Sequence, residues 1–187
     1  MRIISGIYKN KRLHTPADDS IRPTSDMTRE SLFNLLMHGD YEGFHVIDKP
    51  VADLCCGTGA IGLEALSRGA AHCLFVDQSK ASLALAQKNA EHVGATTKSA
   101  FHLADVAQLG NAPRPSSLVF LDAPYGSAFL PRTLDTLIEK NWLLPYALIA
   151  VEQSKFEPVI EVNQLNLLDN RSYGKAGIRI YQYNQDS

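Results

Sequence analysis

The decapeptide DLCCGTGAIG, residues 53–62, places glycines at 57, 59 and 62, the G-x-G-x-x-G spacing of a strand that turns tightly into a helix. A nucleotide-like ligand can lie against such a turn because no Cβ atom stands in its way. The spacing suits nicotinamide dinucleotides and adenosyl cofactors alike, so the ligand must be read from the surrounding residues. Outward from the turn the chain alternates: VADLCC (51–56) reads as a strand, 59–68 as a helix closed by Gly69, HCLFVD (72–77) as a strand, and 79–93 as a helix closed by Gly94. SAFHLAD (99–105) and SLVFLD (117–122) read as further strands and 130–140 as a helix. ALIAVEQ (147–153) is a near-continuous apolar strand suited to burial on both faces. LNLLDNRSYGKAGIRIYQY (165–183) reads as two strands joined by a Gly-containing turn, an antiparallel hairpin at the end of a mostly parallel sheet.

Before this block, RIISGIYKNKRLHTP (2–16) suggests a small hairpin standing outside the main core. RPTSDMTRESLFNLLMHGD (22–40) offers Thr24, Ser25 and Asp26 as helix N-caps, with Leu32, Leu35 and Leu36 at helical spacing to pack on the sheet. A chain of 187 residues, 45% of them hydrophobic, fits one domain over 1–187, an arm at 1–20 and a core at 21–187. Three cysteines with no C-x-x-C pair suggest neither a disulfide framework nor a zinc site. With no metal-ligand pattern, export signal or membrane span, the expectation is a cytoplasmic protein. The net charge of −2 conceals an asymmetry. Residues 1–29 carry six Lys/Arg against three Asp, a net +3, and residues 30–168 carry nine against fifteen Asp/Glu, a net −6. A basic arm on an acidic body reads either as a footprint for nucleic acid or as a solubilising tail.

Acidic residues fall at or near the carboxyl ends of four successive strands: Asp53, Asp77, Asp105 and Asp122. Open α/β sheets bind ligands at that edge. One such carboxylate is an ordinary strand-end residue; four along one edge read as a ligand-contacting set. Asp77, twenty residues beyond Gly57, is placed for ribose hydroxyls, which serves either cofactor class. Asp53 discriminates, because a dinucleotide puts its pyrophosphate near the turn, where a carboxylate repels it, whereas the methionine portion of S-adenosylmethionine brings an ammonium. FLDAPYGS (120–127) then resembles the D-P-P-Y motif of methyltransferases acting on exocyclic base amines, with Ala123 in place of the first proline. The base amine is a poor nucleophile, its lone pair being delocalised into the ring. Acceptors on its two hydrogens, here the Asp122 carboxylate and the Ala123 carbonyl, hold it and stabilise the charge developing on nitrogen. Tyr125 offers a face for an extruded base. Ala123 precedes Pro124, so the loop keeps an extended backbone despite the exchange.

With RIISG, RLHTP, IRPTSDMTRESLFN, DLCCGTGAIGLEALSRGA, FLDAPYG and YGKAGIRIYQY in this order, nearly the whole chain resembles the RsmD family of 16S rRNA guanine-N2 methyltransferases. The resemblance implies a seven-stranded class I, Rossmann-like α/β methyltransferase fold with S-adenosyl-L-methionine as donor. It implies as acceptor one guanine of 16S rRNA, of the guanine-966 type, within a 30S subunit or assembly intermediate. Carried over residue by residue, Asp53, Gly57 and Gly59 line the methionine side, Asp77 the ribose and Asp105 the adenine amine. Cys55, Gln78, Val106 and Asp122 join the cofactor's edge, Arg22 and Thr24 border the same cleft, and Asp122, Ala123, Pro124 and Tyr125 hold the base. Ala176 stands where the family more often has threonine. The rival readings are a DNA adenine-N6 methyltransferase, for whose target-recognition region 187 residues leave little room, a nicotinamide oxidoreductase, and a non-catalytic RNA-binding assembly factor on the same fold.

Overall fold

A computed structural model describes residues 1–16, 26–39, 41, 43–122, 126 and 128–185. Seven strands form one sheet: β1 (Pro50–Leu54), β2 (His72–Asp77), β3 (Ser99–Leu103), β4 (Ser116–Asp122), β5 (Leu143–Ser154), β6 (Leu165–Tyr173) and β7 (Ala176–Tyr183). Their order is β3-β2-β1-β4-β5-β7-β6. β1 to β5 run parallel, and β7 is antiparallel to both β5 and β6. The chain reverses its direction of winding between β1 and β4, and the crevice at their carboxyl ends is where such sheets take ligands.

Successive residues of each strand point to opposite faces, and the two faces carry separate cores. Val51, Phe75, Phe120 and Ala150 face α1 (Asp26–His38), α2 (Ala60–Ser67) and α3 (Lys80–Val93), while Leu54, Val76, Leu121 and Val151 face α4 (Leu130–Glu139). The expected packing of the first helix on the sheet is present: Phe33 of α1 lies 5.5 Å, centroid to centroid, from Phe120 of β4. α3 starts on a Ser79 cap that accepts the Ser82 N–H at 3.2 Å and ends at Gly94 in the left-handed conformation. α2 approaches β2 so closely that a Cβ on Gly62 would come within 2.4 Å of the Phe75 ring and 2.6 Å of Cys73 Sγ. The third glycine of the motif is therefore a packing glycine.

Two expectations need correction. β5 begins at Leu143 rather than Ala147, because the register slips between the Ser116–Leu143 and Leu118–Leu148 pairs and this irregularity accommodates Pro145 and a left-handed Tyr146. The N-terminal hairpin, paired through an Arg2–Arg12 bridge, does not stand outside the core. Ile3 and Leu13 are buried among the α1, α2 and α3 side chains. The fully buried Glu64 of α2 accepts the N–H groups of Ile4 at 2.7 Å and Ser5 at 3.0 Å. The arm's polar composition hides these contacts, all of which are distant in sequence.

Candidate active site

Strand parity puts Asp53, Asp77 and Asp122 on the helix-α2 side of the sheet, each two residues beyond a buried residue of that face: Val51, Phe75 and Phe120. The Asp53 side chain accepts the Gly62 N–H at 2.9 Å. It is 1% exposed, and burial, helped by Asp122 and Asp77, raises its pKa well above the carboxylate range against the opposing Gly62 bond. One oxygen of Asp77 accepts the Gly57 N–H at 3.0 Å and the other the Ser79 N–H at 2.8 Å. Asp105 lies just past β3, where its carboxylate caps a short 3-10 turn by accepting the Ala107 N–H at 2.9 Å. Asp122, half-buried, ends β4 directly opposite Glu152 on β5.

Cys55, two residues past Asp53, is in the left-handed conformation at φ 60°. Burial and then Asp77, Asp122, Asp53 and Asp105 push its thiol up to about 12. Parallel pairing of β1 with β2 and β4, and of β2 with β3, sets the strand ends that carry or precede the four acids side by side at one sheet edge, and Gly57 and Gly59, both at positive φ, lie in the turn that follows Asp53. Gln78 is exposed at the β2–α3 turn. Val106 joins the α4-side core with its side chain, and its carbonyl accepts the Thr133 hydroxyl at 3.1 Å, so it has little but its N–H to offer a ligand. Arg22, Thr24, Ala123, Pro124 and Tyr125 lie outside the described residues.

The hydrogen bonds of the glycine motif bear on its opening ambiguity. A pyrophosphate needs the N–H groups of the turn and the helix start, and here those of Gly57 and Gly62 are already given to Asp77 and Asp53. A site with four carboxylates suits a cationic ligand bearing hydroxyl and amine donors, as S-adenosylmethionine does, and opposes a dinucleotide. Among the described residues no His/Cys/Asp/Glu cluster fits a metal ion. Nor is any helix of the described residues long and apolar enough to cross a membrane.

Two residues escaped the reading of the sequence. Glu152 interrupts the apolar run of β5 at its carboxyl end, as Asp53 and Asp122 do in their strands, and that shared pattern was the available signal. Asn89, fully buried in α3, donates to the carbonyls of Thr58 at 2.9 Å and His14 at 3.1 Å and accepts the His14 N–H at 2.7 Å. It couples the arm to the glycine turn, and no local pattern announces it.

The family described as conserved hypothetical protein 95 matches residues 1–182. The ribosomal RNA small subunit methyltransferase D of Haemophilus influenzae is 30% identical over 187 residues, covering 97% of this chain and 93% of its own. The chain belongs to the RsmD family. The solved structure of yhhF from Escherichia coli superposes on this RsmD-family chain with a TM-score of 0.81 at 31% identity, covering 98% of both chains. An RNA methyltransferase from Salinibacter ruber, solved in complex with S-adenosyl-L-homocysteine, shares the fold with a TM-score of 0.68 at 14% identity, over 89% of this chain and 96% of that one. The architecture is the α/β, Rossmann-like fold of class I methyltransferases.

Proposed function

We propose that this RsmD-family protein transfers the methyl group of S-adenosyl-L-methionine to the exocyclic N2 of one guanine in 16S rRNA, presented in a 30S subunit or its assembly intermediate. The observation that carries this reading is the placement of Asp53, Asp77, Asp105 and Asp122 at or just past the carboxyl ends of adjacent parallel strands, beside the glycine turn, in a chain of this family. Asp77 is the acceptor for the ribose, Asp105 for the adenine amine, and Asp53 the counter-charge for the methionine end, with Arg22 and Thr24 bordering the cleft. When bound, the cofactor supplies an electrophilic methyl on a cationic sulfur. Asp122 and the carbonyl of Ala123 hold the guanine amine by its hydrogens and stabilise the positive charge growing on nitrogen, and Tyr125 supports the base. Such an activity belongs in the cytoplasm with the ribosome.

Asp122→Ala tests the chemistry. Methyl transfer to 30S particles should fall by on the order of a hundredfold or more, as for a lost preorganised transition-state bond, while calorimetric binding of the cofactor persists. Asp77→Ala should weaken the cofactor by about 1.5–3 kcal/mol, and NAD should give no binding heat. Ala123→Pro, which keeps the carbonyl and stiffens the loop, should match or moderately exceed the parent. A parent that binds cofactor yet methylates no rRNA particle would belong with non-catalytic assembly factors, and activity indifferent to Asp122→Ala would put the chemistry in another loop.

A further inference from the structure

The turn after β5 exposes Phe156 by 81%, more than any other large apolar side chain described, although its backbone is held on all sides. Phe156 N–H donates to Ser154 Oγ at 3.3 Å, and Lys155 N–H to the Lys175 carbonyl at 3.1 Å. Beneath the turn, two buried polar side chains reach up to it: Arg179 donates to the Glu157 carbonyl at 2.6 Å and Gln153 to the Pro158 carbonyl at 3.1 Å. Burying a guanidinium and an amide is costly unless they bond; Arg179 Nε and Nη1 and Gln153 Oε1 are buried without partners among the described residues, and the bonds these two side chains do make go to this turn. Gly177 completes the seat, since a Cβ there would meet the Lys155 Cα at 3.2 Å. The turn is therefore hydrogen-bonded in a form that leaves the ring in water, the reverse of what burial of apolar area favours.

Its position is also informative. Ser154 lies two residues beyond Glu152, which pairs with Asp122, so the turn overhangs the same carboxyl edge as the acids. The Glu157 carboxylate accepts the Gly126 N–H at 2.5 Å, tying the turn to the loop that follows Asp122. Lys155 Nζ stands 5.1 Å from the Phe156 ring centroid, and the exposed Lys175 belongs to the β6–β7 turn bonded alongside. An exposed aromatic ring with one cation over a face and a second, exposed lysine on the adjoining turn is the chemistry of single-stranded nucleic-acid contact: a base stacks on the ring while ammonium groups meet the neighbouring phosphates.

Resting on the methyl-transfer reading above, we propose that Phe156, flanked by Lys155 and Lys175, is a docking platform for an unpaired base of the substrate RNA next to the guanine that enters the site. Lys155 covers one face of the ring and the base takes the other. The platform adds affinity for RNA and touches neither cofactor nor reacting atoms.

The test uses the full chain and two probes, a short unstructured single-stranded RNA and 30S particles. Phe156→Ala should weaken binding of the RNA by about 5- to 150-fold, the loss of one stacked base. KM for particles should rise with kcat and cofactor affinity unchanged, and Phe156→Trp should restore binding and lose indole fluorescence as RNA is added. Equal RNA affinity for the parent and Phe156→Ala would overturn the platform while leaving the methyl-transfer reading intact. So would a loss confined to particles with none on free RNA, which would assign Phe156 to a protein partner. A parent inactive on every particle would overturn the methyl-transfer reading instead, and the RNA-binding comparison would still decide whether Phe156 stacks.

Discussion

Asp53 holds a carboxyl group where no water reaches it, bonded to one backbone N–H and facing two other acids. In the unfolded chain an aspartate titrates near pH ~4. The folded value is higher, so between the two values the folded protein keeps a proton that the unfolded chain has shed. The contribution of this group to stability is then complete below the unfolded value and is lost as pH rises through the folded one. Asp53→Asn keeps an acceptor for Gly62 and removes the titration. Its urea midpoint should exceed the parent's above about pH 5, with the gap closing toward acid; a gap independent of pH would mean that Asp53 ionises in the fold as freely as in the chain. The same substitution should weaken S-adenosylmethionine, whose cationic groups favour the ionised acid. The neighbouring Cys55, its thiol pushed up to about 12, stays protonated at neutral pH and is no nucleophile.

At the level of elements, the arm, α2 and α3 form one mechanical unit through Glu64, Ser67 and Asn89. Thr58, whose carbonyl Asn89 holds, sits between the two glycines of the turn. Asn89→Ala strands that buried carbonyl and frees both backbone groups of the exposed His14 to water. The fold should lose about 1–3 kcal/mol, the cost of one buried group left without its partner. Urea denaturation reads the loss, and calorimetry should find weaker cofactor binding because the turn is released. Unchanged cofactor affinity in a folded Asn89→Ala protein would confine this residue to fastening the arm.

Along the chain, net positive charge is concentrated in residues 1–29 and in the last nineteen residues, whereas the acids of the sheet edge would repel RNA if they acted alone. The arm's cations divide by role. Lys11 donates to the Val93 carbonyl at 2.7 Å, at the negative end of the α3 dipole, and so stabilises the helix. Lys9 and Arg12 are exposed. Neutralising Lys9 and Arg12 should flatten the salt dependence of RNA binding by roughly 0.7–0.9 in log-log slope for each phosphate that the arm no longer neutralises, with cofactor affinity intact. Lys11→Met should lower thermal stability more than it alters that slope. A slope unmoved by the double change would leave the arm as a packing element with a solubilising surface.

Strands, helices and the parallel order of the central units were legible in the chain because each depends on neighbours a few residues apart: near-continuous apolar burial in β1 and β4, the Ser79 cap, the Gly94 stop. The acids at the sheet edge were legible for a related reason. A strand end is a local feature, and once the strands run parallel their carboxyl ends necessarily lie along one edge. Which N–H groups of the glycine motif stay open was decided by tertiary contacts, since only folding brings Asp77 to Gly57 and Asp53 to Gly62 and takes those N–H groups from a phosphate. The docking of the arm, the coupling through Asn89 and the pinned turn that exposes Phe156 likewise depend on partners 31 to 75 residues apart, or on strands that become neighbours only in the sheet. No periodicity encodes such pairs. A buried polar side chain pays its desolvation by finding one particular backbone group, and which group that is becomes defined only when the whole chain has packed.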